Sequence, residues 1–487
     1  MSELRGLTEA RQAGVWATGT ISMEPGSLRT DLVAIGQAAI LAVDPEQLVR
    51  RRLTLVADGL ALDGRPLVPP CRIDPIGRVV IVGGGKAAAA LAQGVAEMLI
   101  AGGLPTGRLS GLVSVPEGFG RSIPGVTVIE TRPPGVNLPT PRAVAASREM
   151  LAMVGSLSSA DLVLAVITGG GSAVLTAPRP GISLEEKVAT VAFLAAAGAD
   201  IRELNVVRRA ASEIKGGGLA RACSAGRLVA LVLSDVIGDP LEFISSGPCL
   251  PGTNAAAARD VLVRYAAFAA GVAPGLAAVL EDDLRRGKSE AVTVSATGSW
   301  TTAGGCRVDH LLLGNNATAV EAAARTARSL GYEVTVRHAL PGRPETADEV
   351  GLRLAREGLG LAATNHTAWA IIEGGEAVVR LPSAHGRGGR NQQTAVAALL
   401  QARGHGGWPS SLALASLGTD GEDGPTTAAG GFVDGAVAAA IDRQNLDLAH
   451  AVANCDAHPL LAATAGLIET GPTGTNVADL RIMLARP

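Results

Sequence analysis

Residues 78–101 read RVVIVGGGKAAAALAQGVAEMLIA, which places a strand, a glycine turn and a helix in immediate succession. The run Arg78–Val82 is apolar and β-branched without interruption, as is typical of a strand buried on both faces. Gly83-Gly84-Gly85-Lys86 forms the turn, and the alanine-rich run 87–101 predicts the helix. This unit is the building block of a parallel sheet whose faces are covered by helices.

The same alternation continues along the chain. Further strands are predicted at residues 110–115, 127–130, 161–167 and 228–234, and helices at residues 141–155, 183–200 and 201–217. Beyond a break in the pattern at residues 285–288, strands are predicted at residues 308–313 and 412–417, and a hairpin is predicted from residues 369–373 and 377–381. This order favours a sheet with helices on both faces, followed by a second α/β domain.

We therefore expect an α/β protein of two domains. The first, residues 27–290, is a Rossmann-like parallel sheet with helices on both faces, and the second, residues 300–487, is a C-terminal α/β domain. Residues 1–26 show no clear periodicity and are predicted to be a poorly ordered N-terminal extension.

Composition narrows the classes of function. The chain has 487 residues, 47% of them hydrophobic, and a net charge of −3, which argues against nucleic-acid binding by a broad basic face. Its five cysteines are scattered without a CxxC pair, as expected of buried thiols in a reducing compartment. No uncharged apolar stretch has the length of a membrane span, and no secretory signal is recognisable. We expect a cytoplasmic protein that acts on a small molecule.

Two glycine-rich turns follow predicted strands of the first domain. Gly83-Gly84-Gly85 precedes Lys86, and Gly169-Gly170-Gly171 precedes Ser172. Backbone N–H groups at such turns favour an anion, and ligands of parallel sheets gather at the carboxyl ends of the strands. Each turn could also be a tight strand–helix connection, with Lys86 solvated and Ser172 a helix cap. Gly83, Gly85 and Ala88 also fit the Gly-x-Gly-x-x-Ala pattern of dinucleotide-binding proteins.

Paired carboxylates follow two other predicted strands. Asp235 and Asp239 lie in the first domain, and Asp420 and Asp423 lie in the second. Carboxylates on glycine-rich turns suit a hard divalent cation, although each could instead cap the next segment. Glu376 is a further candidate that a hairpin turn would explain equally well.

The second domain contributes two more glycine-rich turns. Residues 386–391 read GRGGRN, so two arginines, Arg387 and Arg390, lie among glycines just before a predicted helix. Residues 470–476 read TGPTGTN and offer three hydroxyl groups. Both turns suit a phosphate or ribose, and a phosphate site beside a metal site is the minimum requirement for phosphoryl transfer.

Taken in order, these motifs resemble the glycerate 2-kinase family, the proteins with a C-terminal MOFRL domain that were once labelled hydroxypyruvate reductases. The matching stretches are residues 82–88, 168–173, 214–219, 233–239, 245–248, 386–391, 418–425 and 470–476. Two departures are visible. Thr168 stands where family members often have serine, and residues 131–134 read TRPP where His-Pro-x-Pro is common.

The resemblance implies ATP-dependent phosphorylation of D-glycerate to 2-phosphoglycerate, with Mg²⁺, in a cleft between the domains. Lys86 and Arg390 match the family's reaction-centre residues, and Asp235 is the third predicted catalytic residue. The predicted nucleotide contacts are Gly83, Gly84, Gly85, Gly169, Gly170, Gly171, Ser172, Lys215, Gly388, Gly389, Asn391 and Thr473. The predicted metal ligands are Asp239, Asp420 and Asp423.

Two other functions fit parts of the pattern. The glycine pattern after the first strand and the older family label favour an NAD(P)H-dependent hydroxypyruvate reductase. A non-catalytic sensor of a sugar acid would use the anion sites alone, but it would gain nothing from the adjacent carboxylates. A homodimer is compatible with the sequence, which does not fix the oligomeric state.

Overall fold

The structure is a computed structural model that describes residues 26–487 except 57–58, 72–76, 134–135, 137, 253, 288–294, 296–297, 343 and 365. The predicted N-terminal extension, apart from Gly26, lies outside the described residues. The chain divides into two compact units. We call Pro45–Leu313 the central unit, and Met1–Asp44 with Gly314–Pro487 the terminal unit. This division differs from the expected one in two ways. The first helix belongs to the same unit as the C-terminal half, and the chain passes from the central unit to the terminal unit after residue 313.

The central unit is built on a seven-stranded sheet. Its strands are β4 (Val79–Gly84), β5 (Leu109–Pro116), β6 (Val126–Arg132), β7 (Leu162–Thr168), β8 (Arg227–Leu233), β9 (Trp300–Thr301) and β10 (Arg307–Gly314). They lie in the order β6-β5-β4-β7-β8-β10-β9, and β4 to β8 are paired in parallel, as predicted. Three short strands, β1 (Leu53–Val56), β2 (Gly59–Leu62) and β3 (Arg65–Pro66), form a separate antiparallel sheet.

Helices cover both faces of the large sheet. The helices of this unit are α2 (Pro45–Arg52), α3 (Ala88–Ala101), α4 (Pro141–Gly155), α5 (Gly171–Val174), α6 (Leu184–Ala196), α7 (Ile201–Ala210), α8 (Gly218–Ala222), α9 (Ala255–Arg264) and α10 (Pro274–Arg285). Successive β4 side chains point to opposite faces. Val79 and Ile81 share a core with α3, whereas Val80 and Val82 share one with Met150 of α4. A third core joins α6, α7, α9 and α10 into a helical layer.

The terminal unit contains a six-stranded mixed sheet. Its strands are β11 (Glu333–Arg337), β12 (Trp369–Gly375), β13 (Leu412–Gly418), β14 (Gly430–Val433), β15 (Leu467–Ile468) and β16 (Asp479–Ala485), in the order β11-β12-β16-β13-β14-β15. The predicted hairpin around Gly374 is wrong. Gly374 and Gly375 continue β12 and pair with Leu480 and Asp479 of β16, and residues 377–381 form no strand.

Six helices of the second half and the first helix of the described chain complete the terminal unit. They are α1 (Leu28–Ala42), α11 (Asn316–Ser329), α12 (Ala347–Thr364), α13 (Arg390–Arg403), α14 (Gly435–Arg443), α15 (Leu448–Ala453) and α16 (Ala457–Ala463). Tyr332 donates to Asp31 of α1 over 2.6 Å, and Arg486 pairs with the same carboxylate at 2.7 Å. These buried polar contacts explain why α1 groups with the C-terminal half.

The predictions about the cysteines and about membrane-spanning segments can be compared with the structure. All five cysteines are free and buried, which confirms the interpretation of them as core thiols. Among the described residues, no single helix is long and apolar enough to cross a membrane, and α1 and α2 meet the length and composition criteria only when taken together.

Candidate functional site

The two glycine loops of the central unit are in direct contact. They follow β4 and β7, which are adjacent parallel strands, so both lie at the same edge of the sheet. Lys86 N–H donates to the Gly169 carbonyl over 3.0 Å, and Ala87 N–H donates to Thr168 Oγ1 over 3.2 Å. Gly85 has a φ of +134°, and a Cβ there would overlap Thr168 Oγ1 and lie 2.7 Å from the Gly169 carbonyl oxygen. Only glycine therefore permits this approach of the two loops.

Lys86 and Arg132 lie beside the second glycine loop. A Cβ built on Gly170 would be 3.6 Å from Lys86 Cγ and 3.9 Å from Arg132 Nη2. Arg132 ends β6 and donates to the Val136 carbonyl over 2.6 Å. Two cationic side chains and a left-handed glycine thus meet at the carboxyl edge of a parallel sheet, where anionic ligands bind. The sequence did not single out Arg132 as a site residue, because it stands in the stretch that departs from the family pattern.

The carboxylate of Asp235 lies against the same loop. A Cβ on Gly169 would overlap the Asp235 carboxyl group, so the two residues are packed together. Asp239 follows four residues later with a φ of +54°, in the left-handed region that side-chain-bearing residues rarely adopt. The structure therefore places Asp235 beside the glycine loops, and it places Asp239 in the turn that follows.

Ser172 belongs to a buried polar network. Its Oγ lies 3.0 Å from Ser246 Oγ, which donates to Asn205 Oδ1 over 2.8 Å. Lys215 Nζ donates to the carbonyl oxygens of Ser172 (3.0 Å) and Ser245 (3.4 Å). Ser172 does not cap α5, whose N-cap is Gly170 without a side-chain hydrogen bond.

The backbone of the Ser245–Ser246 turn is strained. Both serines have positive φ, 52° and 62°, which costs of order 1–3 kcal/mol for each non-glycine residue. Ser245 Oγ donates to the Thr168 carbonyl over 2.9 Å, so this turn packs directly on the second glycine loop. Strain of this kind persists where the surrounding structure fixes it, and it often marks a functional site.

Arg390 is held by a bidentate ion pair in the terminal unit. It is the first residue of α13, and its Nε and Nη2 donate to the two oxygens of Asp479 over 2.7 and 2.9 Å. Its Nη1 lies 3.4 Å from Glu376 Oε1. Asp479 is fully buried at the start of β16 and also accepts from Asn391 Nδ2 over 3.1 Å. The guanidinium is therefore fixed in orientation by one buried carboxylate.

Asp423 caps the start of α13. Its Oδ1 accepts from the backbone N–H and the side-chain amide of Asn391, and its Oδ2 accepts from the backbone N–H and the side-chain amide of Gln392. A carboxylate has about four lone-pair sites, and four donors already occupy them. Burial raises the pKa of Asp423 to about 6, although the backbone donors of Asn391 and Gln392 oppose the shift. This use differs from the predicted metal-binding role and leaves the carboxylate little capacity for a cation.

The remaining predicted residues of the terminal unit gather around the same helix start. Thr473 Oγ1 donates to the Thr419 carbonyl over 2.7 Å, and Thr473 N–H donates to the Asp420 carbonyl over 3.2 Å. A Cβ on Gly389 would overlap the Asp423 carboxyl group, and Gly388 lies against the backbone of Gly424. The three glycine-rich loops at residues 386–389, 418–425 and 470–476 thus meet at one edge of this sheet.

Sequence reasoning missed Asp479, the partner that orients Arg390. It stands after the turn at residues 470–476, and no glycine or second acidic residue marks it. Its only signal is a carboxylate in a strand whose sole other charged residue is Arg481, since a buried acid needs a partner.

Comparisons with known proteins agree with one another. A family described as a domain of unknown function, DUF4147, matches residues 31–281, and the MOFRL family matches residues 369–479. The glycerate kinase of Danio rerio is 33% identical over 95% of this chain and 98% of its own length. The D-glycerate 2-kinase of Thermotoga maritima is 31% identical over 95% of this chain and 99% of its own length.

Solved structures show the same likeness. The crystal structure of a glycerate kinase from Thermotoga maritima matches 95% of this chain and 100% of its own, with a TM-score of 0.76 at 30% identity. A crystal structure of a Pyrococcus horikoshii protein matches 96% of this chain and 100% of its own, with a TM-score of 0.77 at 28% identity. With a family match over more than half of the chain and relatives of this identity and coverage, the chain belongs to the glycerate 2-kinase family, the proteins with a MOFRL domain.

Proposed function

We propose that this protein transfers the γ-phosphoryl group of ATP to the 2-hydroxyl of D-glycerate, giving 2-phosphoglycerate and ADP. The observation that carries the proposal is the pair of glycine loops with Lys86 at the carboxyl ends of β4 and β7. The second of these loops, with Lys86 and Arg132 beside Gly170, would present backbone N–H groups to a phosphate. The relatives that cover nearly the whole chain are named glycerate kinases and glycerate 2-kinases.

In the central unit, Gly169, Gly170 and Gly171 would contact phosphate oxygens through their N–H groups. The predicted contacts of Gly83, Gly84 and Gly85 are corrected, because Gly83 and Gly84 are paired within the sheet as the end of β4 and the Gly85 N–H donates to the Ser114 carbonyl over 3.2 Å. Lys86 would neutralise charge on the transferring group, since phosphoryl transfer needs positioning and charge stabilisation rather than covalent help. Asp235, packed on Gly169, would accept a hydrogen bond from the attacking hydroxyl and orient it. Ser172 would supply a hydroxyl to the ligand, and Lys215 would hold the loop carbonyls beneath it.

In the terminal unit, Arg390 would present its guanidinium to a phosphoryl oxygen. The bidentate contact with Asp479 fixes its direction before any ligand arrives, so little reorganisation is needed in the transition state. Gly388, Gly389 and Thr473 lie at the same loop edge and would complete the nucleotide contacts. The predicted contact of Asn391 is corrected, because Asn391 is buried and its polar groups are bonded to Asp423, Asp479 and Ser416.

The predicted carboxylates suit magnesium that is bound together with phosphate. Mg²⁺ in kinases is held by one or two carboxylates together with phosphate oxygens and water, rather than by a cage of protein ligands. In keeping with this, the part of the chain that the structure describes has no group of three or more His, Cys, Asp or Glu side chains that could hold a metal alone. Four donors occupy the Asp423 carboxylate, so it is left out. Asp239 in the central unit and Asp420 in the terminal unit, whose Oδ1 also accepts from the Glu422 N–H over 3.1 Å, are the proposed ligands of their own units. When bound, Mg²⁺ would neutralise charge on the nucleotide phosphates.

The reductase alternative gains no support from the relatives, which are named as kinases. Thr168 and Gly169 instead pack on Gly85, so the glycine pattern after β4 is explained by contact between the two loops. A homodimer and a cytoplasmic location remain predictions.

A coupled assay tests the proposal. Purified protein with ATP, Mg²⁺ and D-glycerate should release ADP, and ³¹P and ¹H NMR should show the phosphate on carbon 2. NADH oxidation with hydroxypyruvate in the absence of ATP, without ADP release in the first assay, would reverse the assignment.

A further inference from the structure

Three cationic side chains lie together in the central unit, next to the second glycine loop. Lys187 projects from α6, Arg208 from the last turn of α7, and Lys215 from the segment that follows α7. Lys187 is 6% exposed, Lys215 is 1% exposed and Arg208 is half-buried. A buried ammonium group costs several kcal/mol unless a counter-charge compensates for it.

The acceptors around these cations are all neutral. Lys187 Nζ donates to Thr176 Oγ1 over 2.9 Å, and Lys215 Nζ donates to the carbonyl oxygens of Ser172 and Ser245. Within the described residues, neither lysine has a carboxylate partner, and the Arg208 guanidinium makes no hydrogen bond or ion pair.

Two other cations with little exposure are compensated differently. Arg481, which is 4% exposed, pairs with Glu373 at 3.0 Å, and Arg227 pairs with Asp309 at 2.7 Å. Arg132, which is 5% exposed, donates to carbonyl oxygens instead and lies beside the second glycine loop. The fold thus supplies carboxylates to Arg481 and Arg227, whereas near Lys187 and Lys215 it supplies only more positive charge.

The three cations lie close enough to repel one another. Burial lowers the pKa of Lys215 well below its usual value, and Lys187 and Arg208 lower it further. Burial also lowers the pKa of Lys187, to about 7, with Arg208 contributing in the same direction. A local concentration of positive charge at low dielectric is the setting in which an anion binds strongly.

Structural roles explain each cation only in part. Arg208 near the C-terminus of α7 interacts favourably with the helix dipole, and Lys215 joins two loop carbonyls. Neither role needs a second lysine to be buried beside the first. An exogenous anion accounts for all three side chains together.

We propose that Lys187, Arg208 and Lys215 form a binding site for a small oxyanion, a carboxylate or a phosphoryl group, with Arg208 at its entrance. Arg208 is the only one of the three that retains substantial solvent exposure, so the ligand approaches through it. Lys215 contacts Ser172, two residues after Gly170, and Gly170 lies beside Lys86. The site thus adjoins the glycine loops.

The identity of the oxyanion rests on the proposed function. D-glycerate offers a carboxylate, and ATP offers phosphoryl groups, so either substrate supplies the required chemistry. If the ligand is the carboxylate of D-glycerate, the site selects hydroxy acids as acceptors. If the ligand is a phosphoryl group of ATP, the site extends the nucleotide contacts of the second glycine loop.

Calorimetric titration of the full chain tests the site. The probes are inorganic phosphate, D-glycerate and ATP, each titrated separately into the wild type, Lys187→Met and Arg208→Gln. The matched control is Arg202→Gln, because Arg202 is an exposed arginine on the same helix. Circular dichroism establishes that each variant is folded, and the half-buried position of Arg208 makes its substitution the less disruptive one.

We expect Kd for inorganic phosphate to rise at least about tenfold in both variants and to stay unchanged in the control. If the loss of phosphate affinity is accompanied by weaker binding of D-glycerate but not of ATP, the site belongs to the acceptor carboxylate; if it is accompanied by weaker binding of ATP but not of D-glycerate, the site belongs to the nucleotide. Kd values within twofold of the wild type for all three probes would overturn the proposal, as would a wild type that binds none of them. Phosphate binding by a wild type that does not phosphorylate D-glycerate would refute the proposed function and leave the site standing.

Discussion

Arg390 and Asp479 form a bidentate ion pair, with Nε–Oδ2 and Nη2–Oδ1 distances of 2.7 and 2.9 Å. The carboxylate is fully buried, whereas the arginine side chain is 34% exposed. The Asp479 end of the pair is thus fixed in the interior, and the Arg390 end retains access to solvent. This asymmetry suits an arginine whose direction has to be set before a ligand binds.

Asp479→Asn should impair turnover through Arg390. The amide keeps the shape of the side chain but removes its charge, so the guanidinium loses its fixed direction. We expect kcat to fall about tenfold or more, with a smaller change in KM for D-glycerate, since charge stabilisation acts in the transition state. Stability should fall by about 2 kcal/mol, because Arg390 loses its buried partner; Glu376 at 3.4 Å and solvent compensate for part of the remaining charge.

A double-mutant cycle with Arg390→Ala distinguishes this role from a general loss of stability. In the Arg390→Ala background, Asp479→Asn should change kcat by less than about twofold, because the residue through which it acts is gone. Additive losses of kcat in the two single variants and the double variant would contradict the positioning role.

Lys86→Ala should reduce kcat roughly a hundredfold or more. Removing one group that stabilises charge in the transition state typically costs ~3 kcal/mol of barrier. The ammonium is half-buried and not part of a core, so the unfolding temperature should stay close to that of the wild type. Steady-state kinetics with ATP and D-glycerate measure the effect, and Arg202→Ala is the surface control. Turnover near the wild-type rate would exclude Lys86 from the reaction centre.

The parallel sheet of the central unit could be predicted because its strands are continuous apolar runs followed by glycine turns. The order of the strands in the terminal sheet could not be predicted. β16 is the last strand in sequence but pairs between β12 and β13, and that choice depends on contacts with residues more than 60 positions away. The Gly374-Gly375 pair was interpreted as a turn because local sequence does not show that a distant strand pairs with it. For the same reason, the residues of α1 were expected in the first domain, although α1 belongs to the terminal unit.

The glycine loops of the candidate site were predictable from strand ends alone. The roles of single charged residues could not be predicted, because they depend on which residues surround them after folding. Asp423 in a glycine-rich turn suggests a metal ligand until Asn391 and Gln392 are found donating to both of its oxygens. Lys187 appears as an ordinary helix residue in Leu184–Ala196, and only its burial shows otherwise.

Gly85→Ala should separate the two glycine loops. The added Cβ would overlap Thr168 Oγ1, and the φ of +134° is unfavourable for alanine. We expect a stability loss of roughly 1–3 kcal/mol and weaker ATP binding. Chemical denaturation and calorimetry measure the two effects. The matched control is Gly107→Ala, where no atom lies within 4 Å of the new Cβ. Equal stability and equal ATP affinity of Gly85→Ala and Gly107→Ala would show that contact between the two glycine loops is not needed.

Lys187 should make stability depend on pH above neutrality. Its pKa is about 7 in the folded protein, where burial disfavours the charged form, against 10.5 for an ordinary lysine. Between these values the unfolded chain binds more protons, so the free energy of unfolding rises with pH, by up to ~1.4 kcal/mol per unit. Below pH 7 the folded protein bears the full cost of the buried charge, and above pH 10.5 this contribution no longer changes.

Comparison of the wild type with Lys187→Met isolates this contribution. Urea denaturation at pH 7, 8 and 9 should show the variant to be more stable at pH 7, with the difference shrinking as pH rises. Saturating inorganic phosphate should restore the charged form of Lys187 in the wild type, because the anion at the proposed site provides the missing counter-charge. The wild type should then gain stability at pH 7 that the variant does not. A difference between the two proteins that is independent of both pH and phosphate would mean that Lys187 stays neutral and uninvolved in anion binding.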